Sequence, residues 1–253
     1  MKGSLPLYNT YRHRLSQARL FRGLSLELLD DMLSHFRFES WNKGSQHDSK
    51  IALQRFYVIL EGRMELVQMH PQTGKQMTLL LLEEGDVYDI LTLLDEQEHE
   101  IIPIALDDLK LLSAPIDEVR AWIKQHPEFN KNYMPYLGHC IRHREALVVD
   151  LALYETQTRL ARLILRYASL GSIPDDVSDS GIDVTLLHDL SNEVLAEMIG
   201  SVRQVVNRHL QSMKKESILH YDNHHLIIDN LEKLRQHADG LKQHVESCKG
   251  LIK

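Results

Sequence analysis

Cysteine is scarce in this chain, with only Cys140 and Cys248 among 253 residues. That is too few for a disulfide framework, or for an all-cysteine iron–sulfur cluster held within one chain. Positive charge is also short: 29 lysines and arginines face 36 aspartates and glutamates, for a formal net charge of -7. Such a balance excludes indiscriminate polyanion binding, so any nucleic-acid contact must come from a local basic patch. No run of about 18 apolar residues occurs, and no apolar segment follows the basic N-terminal residues, so the expectation is no membrane span, no signal peptide and a cytoplasmic protein. Nucleophile–base pairs, metal-spaced ligand sets and phosphate-cradling loops are missing too. Cys140 lies in an apolar helical pattern and reads as packing, and the chain is not expected to be an enzyme.

What is present suggests two compact domains and a connector. Residues 1–20 are polar and basic, with a short helix near Tyr8–Ala18. Ser25 caps a second helix whose Leu26, Leu29, Met32, Leu33 and Phe36 share a face. From Phe38 to Ser113 the pattern turns to short apolar bursts. RFYVILEG, RMELVQM and MTLLLLEEGDVY read as strands, with Pro71–Gly74 as a hairpin loop and Gly62 and Gly85 at turns, which suggests a small antiparallel barrel or jelly roll. Helices are expected from Pro115 to His126 and from Glu128 to about Leu153. In the longer one Met134, Leu137, Ile141, Arg144, Val148 and Leu151 recur at alternating spacings of three and four, the seam of a two-stranded coiled coil or a core face. Thr156–Leu170 is a further amphipathic helix closed by Gly171, followed by a loop bearing Asp175, Asp176, Asp179 and Asp183.

The most informative stretch is Gly200–Lys215, GSVRQVVNRHLQSMKK. On a helix, Arg203, Gln204, Asn207, Arg208 and Gln211 share one side, while Val205, Val206, Leu210 and Met213 share the other. The polar side consists of the groups whose forks match base edges in a major groove, and the run contains no acidic residue. Upstream, LSNEVLAEMIG offers Ser191 as N-cap, Glu193 against the helix dipole and an apolar stripe of Val194, Leu195, Met198 and Ile199. Gly200 breaks that helix. Two short helices joined at a glycine, the second polar-faced and basic, make a helix-turn-helix. SILHYDNHHLIID then reads as strand, four-residue turn and strand: a β wing with Asn223 left-handed.

With these residues in place the chain resembles the Crp/Fnr family of bacterial transcription regulators, relatives of the cyclic-AMP receptor protein. Leu190, Ser191, Leu195, Ala196, Gly200, Arg203, Val206, Arg208 and Leu210 fall at the family's spacing without a gap. YVILEG (57–62) and EGDVY (84–88) fall at the usual places in the barrel, and the likeness covers roughly residues 20–235. It implies an α+β fold: an N-terminal antiparallel β-barrel or jelly-roll sensor (1–127), a dimerisation helix (128–153) and a C-terminal winged helix-turn-helix with a helical extension (154–253). The resemblance also implies base reading by Arg203 and Arg208, with Gln204 between them where the family commonly has glutamate. Asn207 and Gln211 share the face, and Ser201 with the amides at the helix start would hold phosphate. The implied partners are a pseudo-palindromic DNA duplex, a second copy of the chain and RNA polymerase.

The effector is where the sequence departs from the family. Cyclic-nucleotide binders carry a Gly-Glu and an Arg-Ser pair around the phosphate; the aligned residues here are Asp89, Ile90, Glu100 and Ile101. Acidic side chains repel a phosphodiester, so cyclic nucleotide is not expected. Iron–sulfur binding of the Fnr type needs an N-terminal cysteine cluster, which is absent, and Leu91 stands where the haem-binding members have a histidine. Ile90, Leu91, Leu93, Ile102, Ile104, Leu137, Ile141 and Arg144 are the candidate pocket, suited to an apolar small molecule or haem, or else simply filled by its own side chains. His99, His139 and His143 are the candidate haem ligands among fifteen histidines, and no other metal site is expected. Effector binding would rotate the C-terminal domains about a hinge near Leu153–Thr156. A protein-docking module that no longer reads DNA is the alternative that the acidic charge favours.

Overall fold

The computed structural model describes residues 5–170 and 181–239. The chain divides into two compact units at Arg144/Glu145.

The first unit begins with α1 (Leu5–Gln17) and α2 (Leu26–Ser34). The Ser25 hydroxyl caps α2 by accepting the Leu28 N–H at 3.2 Å, satisfying a donor the helix itself cannot. Leu29, Met32, Leu33 and Phe36 are buried as expected, but Leu26 is exposed and leaves the apolar face. Then come β1 (Arg37–Trp41), β2 (Arg55–Glu61), β3 (Met64–Met69), β4 (Gln76–Leu82), β5 (Val87–Tyr88), a short α3 (Ile90–Asp95), β6 (Ile102–Ala105) and β7 (Leu109–Pro115). They form two antiparallel sheets, in the orders β1-β7-β2-β5 and β4-β3-β6. The pair is jelly-roll-like and open rather than a closed barrel.

The stretch MTLLLLEEGDVY, read as one strand, is two strands in different sheets. Between them Gly85 adopts φ +87 and its N–H donates to Ile59 O at 2.9 Å, a turn that only glycine makes without strain. Gly62 is equally constrained: at φ +86, an added Cβ would lie 2.9 Å from Leu109 Cδ2 and 3.0 Å from Asp108 O.

α4 (Ile116–Gln125) and α5 (Pro127–Leu153) follow. In α5, Phe129, Tyr133, Tyr136 and Cys140 recur on one face and are buried with Phe21, Phe36 and Trp122. On another face Met134, Ile141 and Val148, seven residues apart, are 60%, 50% and 64% exposed. A helix with one apolar face filled and a second apolar face at heptad spacing left open has the form of an unpaired coiled-coil strand.

The second unit contains the end of α5, α6 (Thr156–Leu170), β8 (Ile182–Asp183), α7 (Asn192–Met198), α8 (Arg203–Lys215), β9 (Leu219–Asp222), β10 (His225–Ile228) and α9 (Leu231–Asp239). Its sheet runs β8-β10-β9. The expected Gly171 cap and the acidic residues Asp175, Asp176 and Asp179 lie outside the described residues, but Asp183, expected in the same loop, belongs to β8. The α5–α6 corner is clasped by the buried Asp150 carboxylate, which pairs with both Arg162 and Arg166. The Arg162 guanidinium also sits 4.4 Å above the Tyr154 ring.

Candidate nucleic-acid interface

The local chemistry of α7 and α8 accounts for their geometry. Ser191 Oγ accepts the Val194 N–H at 3.2 Å and starts α7, with Glu193 in the first turn against the positive end of the helix dipole. Leu195, Ala196 and Met198 bury its inner face, and the helix ends at Ile199. Gly200 takes φ +61, and a Cβ there would come within 2.8 Å of Leu151 Cδ2. The turn therefore needs glycine for both its backbone and its closeness to the end of α5. α8 buries Val206, Leu210 and Met213.

The opposite side of α8 is open. Arg203, Gln204, Asn207, Arg208 and Gln211 are all exposed, as the periodicity predicts, and Lys214 and Lys215 add positive charge at its last turn. Arg203, Gln204 and Asn207 line a shallow groove together with Asn192 at the start of α7, whose amide donates to Asn207 Oδ1 at 3.4 Å. Asn192 escaped the sequence reading because it lies outside the polar run of α8; its place directly after the Ser191 cap was the available signal. His209, at the edge of the face, has its pKa lowered by burial and then by the Arg208 charge. Ser201 differs in part from expectation: its N–H donates to Ala196 O at 2.8 Å. Its hydroxyl, not its amide, is what it can offer a phosphate. Val202, which precedes α8, caps it without a side-chain bond and is 57% exposed beside Arg203.

The wing hairpin is tighter than a lone left-handed asparagine implies. Asn223 (φ 45) and His224 (φ 70) are both left-handed between Asp222 and His225, the double positive φ of a two-residue turn matched to strand twist.

Comparison with known proteins places this geometry. Residues 158–237 match the Crp-like helix-turn-helix domain. The global nitrogen regulator of Synechocystis sp. is 28% identical over 185 residues, 72% of this chain and 80% of the relative. The cyclic AMP receptor protein of Thermus thermophilus is 26% identical over 79% of this chain and 87% of its own length. The chain is similar to Crp/Fnr regulators over most of its length. Its fold matches a solved structure, that of a CooA mutant from Carboxydothermus hydrogenoformans, with TM-score 0.69, 23% identity and coverage of 84% and 94% of the two chains. On these matches it is a DNA-binding transcription regulator of the Crp/Fnr type, not an enzyme, and Crp-like helix-turn-helix regulators bind DNA and function as dimers. Among the described residues no helix is long and apolar enough to cross a membrane.

The residues expected to line an effector pocket fall in several environments. Ile90 and Leu93 are buried in the aromatic core beside Phe21 and Trp122, with Leu91 packed at its edge. Along β6 the buried positions are Pro103 and Ala105, and Ile102 and Ile104 sit half-buried on the other face. Leu137 and Arg144 are half-buried and Ile141 is exposed, on the seam side of α5. His99 is held through Nδ1 by Asp89 Oδ2 at 2.8 Å. His139 lies instead in the field of Arg19 and Asp86, its pKa lowered chiefly by burial. His143 is half-buried on α5.

Around α3 the chain supplies its own anion. Asp89 is buried, and its carboxylate accepts the Leu91 N–H and the Thr92 hydroxyl, each at 3.1 Å, besides contacting His99. Glu100 is exposed. In the first unit, the Tyr88 hydroxyl, His47 Nε2 and Ser45 Oγ are buried with no hydrogen-bond partner among the described residues. His47 stacks on Trp41 with ring centres 3.7 Å apart.

Proposed function

We propose that the chain is a homodimeric Crp/Fnr regulator that reads a pseudo-palindromic duplex through Arg203, Gln204, Asn207, Arg208 and Gln211, under control of a small effector other than a cyclic nucleotide. The observation that carries the reading is the exposed, wholly non-acidic polar face of α8 on a buried apolar back. Arginine is bidentate to guanine, and glutamine and asparagine are bidentate to adenine. Asn192 joins this set by holding Asn207, and the Ser201 hydroxyl contacts backbone phosphate. The second copy pairs along Met134, Ile141 and Val148, which sets two α8 helices about 34 Å apart. On this reading 1–127 senses, 128–153 dimerises and 154–253 binds DNA. The Asp150 clasp joins the end of α5 to α6, so that any pivot lies outside the clasped stretch rather than at Leu153–Thr156.

Against a cyclic nucleotide stands Asp89, whose buried carboxylate takes the donors at the start of α3 and would repel a phosphate. The orphaned Tyr88, His47 and Ser45 groups favour a neutral ligand with hydrogen-bonding atoms, since buried polar groups normally find partners. Haem is the second reading, favoured by His99: a histidine fixed through Nδ1 by a carboxylate presents Nε2 in the orientation metal ligation uses. RNA polymerase is the expected protein partner.

The test is anisotropy binding of the full chain to a selected duplex. Specific affinity should fall steeply between about 50 and 200 mM salt, drop with Arg203→Ala, and be indifferent to cyclic AMP. Salt-independent association would support the docking-module alternative instead. An absorption spectrum of the purified protein settles haem through its Soret band.

A further inference from the structure

Three side chains cluster beside the wing, Asp183 on β8, His225 on β10 and His188 on the segment between β8 and α7. His188 Nε2 and His225 Nδ1 each hydrogen-bond a different oxygen of the Asp183 carboxylate, the second at 3.3 Å. The two imidazole rings lie 3.9 Å apart, centre to centre. One ligand atom from each of the three residues lies within 4.8 Å of the others. We propose that Asp183, His188 and His225 bind a divalent transition-metal ion, zinc foremost.

The donor set suits that chemistry. Imidazole nitrogens and one carboxylate oxygen are borderline ligands that favour zinc, and cobalt or nickel as probes, over the all-oxygen shells of magnesium and calcium. Zinc bonds of about 2.0–2.1 Å place tetrahedral ligand atoms roughly 3.3 Å apart, so the convergence already present needs only side-chain adjustment to close on an ion. The metal would replace the hydrogen bonds that now draw both rings onto the carboxylate.

The backbone holds the three positions in register. Asp183 pairs with Ile227 of β10, placing it beside His225 on the same face two residues away. Val184 N–H donates to Leu226 O at 2.9 Å, and Asp189 N–H to His224 O at 3.2 Å, pinning the segment that carries His188 along the same strand. The His188 side chain is only 12% exposed, while Asp183 and His225 are open to solvent and give the ion an entry path. Three protein ligands leave a fourth position for water or another donor. His188 lies three residues before the Ser191 cap of α7, and His225 opens β10 just after the turn. A bound ion would therefore tie the wing to the entrance of the helix-turn-helix. The sequence carries no sign of this site, because the ligands are five and 37 residues apart and only the pairing of β8 with β10 brings them together.

The test uses the full-length chain stripped with chelator, and its readout does not depend on DNA binding. Calorimetric titration with zinc should show one ion per chain, and cobalt should give visible d–d bands. In His225→Gln and Asp183→Asn, both at exposed positions, zinc affinity should fall at least about tenfold and the cobalt bands should be lost. In the wild-type chain, zinc should protect His188 and His225 from diethyl pyrocarbonate, a measurement that needs no variant. No zinc uptake by the wild type, equal binding and cobalt spectra in wild type and variants, or unchanged modification of His188 and His225 would each overturn the site.

Discussion

In α8 the residues proposed to read bases are exposed, and the fold of the helix depends on Val206, Leu210 and Met213 instead. In the segment 90–104 the side chains first considered for the pocket are of the same apolar types that fill the core, and Ile90 and Leu93 do fill it. On α8 the proposed function and the folding fall to different residues; in segment 90–104 one set of side chains would have to serve both. A function carried by polar groups that folding does not require shows in the sequence, whereas a cavity is distinguished from a core only by geometry.

Substitutions at the two ends should therefore separate stability from specificity. The largest effect is expected from Phe129→Ala: truncating a fully buried ring should cost about 3–5 kcal/mol of unfolding free energy in a denaturant titration. Half-site preference in the folded fraction should remain unchanged. Arg203→Ala should do the reverse, costing about 1–3 kcal/mol of specific duplex binding and relaxing the preference at one base, with an unaltered denaturation midpoint. Ser191→Ala stands between the two. Loss of the α7 cap should lower stability by about 1 kcal/mol, seen in thermal unfolding, and weaken duplex binding only through the fraying of α7.

The smallest effect belongs to the first unit and depends on pH. Glu65 is buried, and burial raises its pKa above the ordinary value despite the hydrogen bond from the Thr78 hydroxyl. Because the folded pKa lies above the unfolded one, the stability this group contributes is fully present below about pH 4.5 and is lost as pH rises through the folded value. Glu65→Gln removes the titration and keeps an acceptor for Thr78. The variant should match the wild type in acid and exceed it at neutral pH by of order 0.5 kcal/mol, measured as the difference between two pH series of unfolding midpoints.

The same contrast explains what was legible in the sequence. Helix caps at Ser25 and Ser191, the breaks at Gly62 and Gly200 and the open face of α8 each follow from local chemistry and are found where expected. The winged helix-turn-helix and the jelly-roll-like sheets agree with the resemblance carried by those residues. Features that depend on pairing distant segments were not legible. β8 is two residues long and exists only through its pairing with β10. The apolarity of Ile102 and Ile104 does not reveal strand phase; one residue of register decides which face they occupy. The short α3 was hidden in a run apolar on all sides, and its Asp89 cap became visible only with the Leu91 and Thr92 donors in place.

The central claim, a two-fold symmetric reading head built on α8, is tested most directly by selecting duplexes from a random library with the full-length chain and sequencing those retained. The account predicts enrichment of an inverted repeat with half-site centres one helical turn apart, about 34 Å, and loss of that enrichment with Arg203→Ala. Recovery of no symmetric motif, or the same motif from Arg203→Ala as from the wild type, would contradict it.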